Sequence, residues 1–119
     1  MAYEVIYDGN VLMQRLANHL DRYRLNPTSM ALLSCLMDSG GNAVRMKELG
    51  CRLAMSSGGV TRAVDRLEAE GLIERTGGVE DRREVMVRPT LEARRRVNEA
   101  LPGYANIIDK HRQEALSRC

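Results

Sequence analysis

The spacing of apolar residues along the chain predicts a mainly helical protein with one β-hairpin. Apolar side chains recur every three or four residues through most of the sequence, as on one face of an α-helix. Two short stretches look like strands instead. Helices are predicted over residues 5–23, 27–38, 46–53, 57–70, 91–100 and 104–116, a short extended piece over 43–45, and strands over 72–76 and 84–88. Pro102 and Gly103 are expected to break or kink the chain between the last two helices.

The segment from Ala54 to Gly71 carries the most regular pattern. Its predicted buried face has apolar residues at positions i, i+3, i+4 and i+7: Val60, Ala63, Val64 and Leu67. At about 100° per residue, the opposite face has no large apolar side chain and consists of Gly58, Thr61, Arg62, Asp65, Arg66 and Ala69. Ser56 is a candidate N-cap, and Gly71 is expected to end the helix.

This outer face suits the major groove of DNA. Small residues at the N-terminal end allow the backbone to approach phosphates, the helix dipole favours anions there, and arginine can form two hydrogen bonds with guanine. An ordinary surface helix with solvated charges has the same pattern. The neighbouring elements favour DNA, because helix 46–53, the turn 54–56 and helix 57–70 form a helix-turn-helix, and the hairpin that follows completes a winged helix.

Composition is compatible with this interpretation without requiring it. A chain of 119 residues with 44% hydrophobic residues is expected to form one globular domain, and without Phe or Trp its core must be aliphatic. The net charge of +2 is weak support for a polyanionic partner. Of the 18 basic residues only Lys47 and Lys110 are lysines. This abundance of arginine favours phosphate and base recognition, but it also follows from a GC-rich genome.

Other chemistry is not indicated. Cys35, Cys51 and Cys119 are an odd number without close pairing, which favours reduced thiols in a cytoplasmic protein; Cys35 is expected in the core, and Cys51 to be partly exposed. No apolar run is long enough for a membrane span, and no signal peptide is apparent. The sequence has no metal-ligand spacing, phosphate loop or nucleophile motif, so we expect no metal, no cofactor and no enzymatic activity.

Two stretches, residues 46–75 and 80–91, resemble the MarR (multiple antibiotic resistance regulator) family of bacterial transcription regulators. The resemblance is nearly continuous from residue 25 to residue 91 and implies a winged helix-turn-helix that binds double-stranded DNA. Carried over by position, the recognition-helix residues are Ser56, Ser57, Gly59, Thr61, Arg62 and Arg66, and the wing residues are Arg75, Asp81, Arg82 and Arg83. The wing-tip arginine, Arg83, would enter the minor groove, and Asp81 would orient the wing.

The same resemblance implies a homodimer on a pseudo-palindromic operator. The expected layout is a single MarR-like domain over 1–119, with dimerisation helices in 1–24 and 91–119 around a DNA-binding region in 25–90. The expected dimerisation residues are apolar positions thought to be exposed on the first and last helices: Leu12, Leu16, Leu20, Ile107, Ile108 and Leu116. The chain stops early for the family, so a smaller interface is expected. Many family members bind a small-molecule effector, but no residue here identifies one.

Two functional hypotheses remain open at this point. The first is a sequence-specific transcription regulator, most simply a repressor. The second is a winged-helix module that docks on another protein and no longer binds DNA. Arginines on the recognition helix and wing favour the first, whereas a docking module would be expected to carry apolar residues on the same face.

Overall fold

The fold is mainly α with a small antiparallel sheet. The computed structural model describes residues 2–77 and 84–117. Its elements in chain order are α1 (Ala2–Asp21), α2 (Pro27–Met37), β1 (Val44–Arg45), α3 (Met46–Arg52), α4 (Ser57–Ala69), β2 (Ile73–Gly77), β3 (Val85–Pro89) and α5 (Leu91–Ser117). They form two compact units, one from residues 28–97 and the other from residues 1–27 with 98–119.

The first unit, residues 28–97, contains the predicted winged helix. The sheet order is β1-β3-β2, with Val44 opposite Val87 and Ile73 opposite Pro89. The hairpin prediction is confirmed, with each strand one residue further along the chain than expected. The short extended piece predicted over 43–45 is also confirmed and adds β1 to the exposed edge of β3.

An aliphatic core holds this unit together. Apolar side chains from α2, α3, α4, the sheet and the start of α5 are almost completely buried: Met30, Leu32, Leu33, Leu36, Leu49, Val60, Val64, Leu67, Leu72, Ile73, Val87, Ala93 and Val97. The apolar face predicted for the helix 57–70 is therefore the face that packs inward, which leaves its opposite face to solvent.

Three elements of this unit meet at one junction, formed by Gly71, Leu72 and Thr90. Gly71 takes the left-handed conformation, φ +76°, that ends α4, and the Leu72 amide donates to the Leu67 carbonyl at 2.9 Å. The Thr90 hydroxyl donates to the Gly71 carbonyl at 2.8 Å, and the Thr90 amide donates to the Leu72 carbonyl at 3.1 Å. Thr90 also caps α5, because its hydroxyl accepts the amide of Ala93 at 3.2 Å.

The second unit consists of α1 and the C-terminal part of α5. Contrary to the sequence prediction, α5 runs unbroken from Leu91 to Ser117 with Pro102 inside it. Proline removes one helical hydrogen bond, but tertiary packing supports the helix here. The His19 Nε2 lies 2.9 Å from the Ala100 carbonyl oxygen, and Gly103 leaves room for the His19 ring, since an added Cβ would lie 2.3 Å from its Cε1.

The apolar stripe of α1 is also oriented differently from the prediction. Leu16 and Leu20 are only 4% and 0% exposed within a single copy, so they are core residues and not the exposed positions expected for dimerisation. Leu12, Ile107 and Ile108 are half-buried, and Leu116 is 68% exposed. The helix begins at Ala2, three residues before the predicted start at residue 5. The N-terminal end of this helix exposes a second set of large apolar residues, which was not among the predicted dimerisation residues: Tyr3, Val5, Ile6 and Tyr7.

We expect Gly103→Ala to destabilise the protein by about 1–3 kcal/mol, because the new methyl group displaces the His19 ring and its hydrogen bond. Chemical denaturation of the parent, Gly103→Ala, His19→Ala and the double variant would measure the coupling between the two sites. In the His19→Ala background the same substitution should be neutral or stabilising. Gly9→Ala is a matched control inside α1, since its Cβ would meet nothing within 4 Å, and it should stabilise by about 0.5–1 kcal/mol. If Gly103→Ala stabilises as Gly9→Ala does, the close approach is not a constraint.

Candidate nucleic-acid interface

The recognition helix α4 begins at a capped N-terminus. Ser56 is extended, with φ −66° and ψ 157°, and its Oγ accepts the amide of Gly59 at 3.1 Å. This confirms the predicted N-cap. The first turn continues with Ser57 and Gly58, which are both exposed, so the backbone there is open to an incoming group. The Thr61 hydroxyl donates to the Ser57 carbonyl at 2.8 Å and is thereby oriented along the helix.

The angle between α3 and α4 is set by a close crossing at Gly50. A Cβ at this position would lie 3.2 Å from the Val60 Cγ2 and 3.5 Å from the Met55 carbonyl oxygen. The Met55 amide in turn donates to the Gly50 carbonyl at 2.9 Å, which closes the turn between the two helices. This close crossing holds α4 with its polar face outward.

The exposed face of α4 carries its charged side chains. Val60, Val64 and Leu67 are at most 2% exposed, whereas Arg62 and Arg66 are both exposed. The Arg66 Nε lies 3.4 Å from the Glu70 carboxylate, one turn further along. Among residues 2–77 and 84–117, Arg62 has no ion pair. It is therefore the arginine of α4 that is most available to an external anion.

Arg75 on β2 has a different environment from the one expected for a wing residue that contacts DNA. Its Nη1 donates to the Glu68 carboxylate at 2.7 Å and its Nη2 donates to the Asp65 carboxylate, so that both terminal guanidinium nitrogens bond to α4. Hydrogen bonding to Asp65, followed by that to Glu68, outweighs the effect of burial and raises the pKa of Arg75 above its ordinary value. The side chain is only 27% exposed. The sequence analysis missed this pairing, although Asp65 and Glu68 lie one turn apart on one side of the helix.

The remaining predicted wing residues, Asp81, Arg82 and Arg83, lie outside the described residues. On the described part of the wing, Arg88 of β3 pairs with Glu74 of β2 at 3.0 Å, and Arg45 of β1 lies 3.4 Å from Glu84. The structure thus brings Ser56, Ser57, Gly59, Thr61, Arg62 and Arg66 together on one helix, and places Arg75 beside that helix.

A model of the MarR family matches residues 25–85, just over half of the chain. The chain belongs to the MarR family. The matched range covers α2 to the start of β3, so it contains the whole helix-turn-helix described above. The fold class predicted from the sequence, a winged helix-turn-helix with flanking helices, is confirmed.

Individual MarR-family proteins are similar over a wider range. The HTH-type transcriptional regulator MhqR of Bacillus subtilis (strain 168) is 30% identical over 92 residues, which cover 77% of this chain and 62% of MhqR. Our chain thus spans less than two thirds of that relative. AbsC, a MarR family transcriptional regulator from Streptomyces coelicolor, has a TM-score of 0.85 at 21% identity, covering 92% of this chain and 75% of AbsC. The M. tuberculosis transcriptional regulator MOSR, solved in complex with DNA, has a TM-score of 0.79 at 20% identity, covering 92% of this chain and 77% of MOSR.

Other kinds of site are not found in the part of the chain that the structure describes. There, no helix is both long and apolar enough to cross a membrane. No group of three or more His, Cys, Asp or Glu side chains could hold a metal ion within the same residues. Cys35 is half-buried rather than fully buried as expected, and Cys51 is exposed; both are free thiols.

Proposed function

We propose that this protein is a sequence-specific transcription regulator that binds double-stranded DNA as a homodimer and represses transcription by occupying a pseudo-palindromic operator. The observation that carries the proposal is the outer face of α4, where Arg62 and Arg66 are exposed and no large apolar side chain is present. This face lies on the second helix of a helix-turn-helix, the element that enters the major groove in DNA-binding proteins of this class.

The chemistry of the helix supports contact with both the backbone and the bases of DNA. Ser57 and Gly58 leave the amides of the first turn accessible, and a helix N-terminus favours phosphate. Arg62 lies about one turn further along and has no intramolecular carboxylate partner within the described residues, so it can form two hydrogen bonds to a guanine without first breaking an ion pair. Ser56, Gly59 and Thr61 lie at the same end of α4 and would form part of the surface that meets DNA.

The described relatives support the same activity by analogy. MhqR is named as a transcriptional regulator, and MOSR was solved with DNA bound. We assign residues 25–90 to DNA binding and the flanking segments 1–24 and 91–119 to dimerisation, within one MarR-like domain. The wing tip, with Asp81, Arg82 and Arg83, would contact the adjacent minor groove. Binding of a small-molecule effector stays a prediction from the family resemblance.

Exposed apolar residues support the homodimer. Tyr3, Ile6 and Tyr7 on α1 and Leu116 on α5 are each at least 64% exposed in a single copy, and all four belong to the same compact unit. Symmetric association through such surfaces is the commonest way to bury them. A two-fold dimer would place two α4 helices about one DNA turn apart, which is the spacing that a pseudo-palindromic operator requires.

The alternative of a protein-docking module is not favoured. Tryptophan, tyrosine and arginine contribute most of the binding energy at protein interfaces, and α4 exposes arginines but no aromatic or other large apolar residue. Among the described residues of the DNA-binding region 25–90, the only exposed large apolar residue is Val85 on β3.

Selection of bound duplexes from a random pool would test the proposal. We expect enrichment of an inverted repeat, and a logarithm of the binding constant for the enriched duplex that falls linearly with the logarithm of salt concentration. A scrambled duplex of equal length and composition is the control for non-specific binding. Equal affinity for the enriched and scrambled duplexes, at every salt concentration, would overturn the proposal of sequence-specific recognition.

A further inference from the structure

We propose that Arg75 supports DNA binding without touching DNA, by neutralising Asp65 and Glu68 on α4 and fixing β2 to that helix. The inference rests on the proposed function, since it concerns how α4 becomes competent to approach a polyanion. It assigns Arg75 the role of a positioning residue, in place of the direct DNA contact that its place in the wing suggests.

The charge balance of α4 makes such a residue necessary. Within Ser57–Ala69 the helix carries two arginines, Arg62 and Arg66, and two acids, Asp65 and Glu68, so its formal charge is zero. At about 100° per residue, Asp65 lies only about 60° around the helix from Arg62. A DNA strand that meets Arg62 therefore also approaches the Asp65 carboxylate, and like charges brought together without compensation oppose binding.

The geometry of Arg75 matches this requirement. Its two terminal nitrogens contact one carboxylate each, at 2.7 Å for Glu68 and in a shorter contact for Asp65. A planar guanidinium can serve two acceptors at once, which a lysine ammonium does less well. Because its two terminal nitrogens already bond to carboxylates of α4 and its side chain is only 27% exposed, Arg75 is less available to a phosphate than the exposed Arg62 is.

The same contacts fix the direction of the wing. Arg75 pairs across the sheet with Val87 of β3, which is completely buried, so the strand position is determined by the core. The ion pairs of Arg75 with Asp65 and Glu68 then connect β2 to the middle and the end of α4. The Arg75 side chain, together with the junction at Gly71, thereby sets the orientation of the hairpin relative to the recognition helix.

A mutant cycle, measured by binding to the enriched duplex, separates neutralisation of Asp65 and Glu68 from direct contact of Arg75 with a phosphate. We compare the parent, Arg75→Gln, the pair Asp65→Asn/Glu68→Gln, and the triple variant. If Arg75 acts by neutralisation, Arg75→Gln should weaken binding about tenfold in the parent. The same substitution should change affinity by less than about twofold once the two acids are amides, because no charge is then left to neutralise. The salt slope should stay that of the parent in all four proteins.

Two further variants complete the design. Arg88→Gln is the matched control, because Arg88 is also a wing-strand arginine in an ion pair, at 3.0 Å from Glu74, and its loss changes the net charge equally; we expect an effect of about twofold or less. Arg75→Lys keeps the positive charge but loses the planar guanidinium that bonds two carboxylates at once, and it should bind the duplex with intermediate affinity. If circular dichroism shows that Arg75→Gln does not fold, Arg75→Lys takes its place in the comparison.

The outcomes are distinguishable. An equal loss in both backgrounds, with a salt slope reduced by about one, would mean that Arg75 contacts a phosphate and would overturn the inference. An Arg75→Gln variant that binds like the parent would overturn it as well, while leaving the proposed function intact. A parent protein that binds no duplex selectively would overturn the proposed function, and this inference with it.

Discussion

Replacing Arg62 with alanine should lower affinity for the selected operator by about 1–3 kcal/mol and relax the preference at one base pair in each half-site. The expected loss of affinity is this large because of the contacts that the Arg62 side chain makes before DNA binds. Arg62 is exposed and has no carboxylate partner among the described residues, so its full hydrogen-bonding capacity is available to a base edge. Competition binding against operators altered one position at a time would locate the affected base pair.

Arg66 provides an internal comparison for this result. Its Nε already lies 3.4 Å from Glu70, so DNA must compete with an intramolecular ion pair, and Arg66→Ala should cost less than Arg62→Ala. If the double variant Arg62→Ala/Arg66→Ala binds the operator as tightly as the parent, the outer face of α4 does not contact DNA.

Placing aspartate at both Ile6 and Leu116 should convert the proposed homodimer to a monomer and weaken operator binding by more than about 100-fold. Two linked half-site contacts gain about 10²–10⁴ in avidity over one, and a monomer forfeits that gain. Both side chains are exposed in a single copy, at 64% and 68%, so the substitutions should leave the fold intact. Sedimentation at tens of micromolar, with circular dichroism as a check on folding, would measure the effect.

Val85→Asp is the matched control for the dimer, because Val85 is also an exposed large apolar residue, at 41%, but lies on β3 in the other compact unit and outside the segments assigned to dimerisation. This variant should sediment like the parent. A parent protein that is already monomeric under these conditions, and still binds operator with one protein per site, would contradict the proposed homodimer.

The elements that local chemistry determines were predictable from sequence. The N-cap at Ser56 and the glycine end at Gly71 each depend on residues close in the chain, and each was predicted. The apolar period of α4 also identified its buried face correctly, so the candidate DNA-contacting residues of that helix could be named in advance.

What the sequence did not reveal depends on contacts between distant residues. Pro102 predicts a helix break, whereas α5 continues through it and packs there against His19, some 80 residues away in sequence. The burial of Leu16 and Leu20 likewise depends on which side of α1 is covered. The pairing of Arg75 with Asp65 and Glu68 requires knowledge of how β2 returns past α4, which no local pattern supplies.

The junction at Gly71, Leu72 and Thr90 determines where this chain could change length. Since α4 ends there, β2 starts there and α5 is capped from there, one extra residue between Ala69 and Ile73 would shift β2 in register and turn its outward side chains inward. Arg75 would then face away from Asp65 and Glu68, and the Leu72 side chain would leave the core. Insertions and deletions in this stretch should therefore be far more damaging than single substitutions at the same positions.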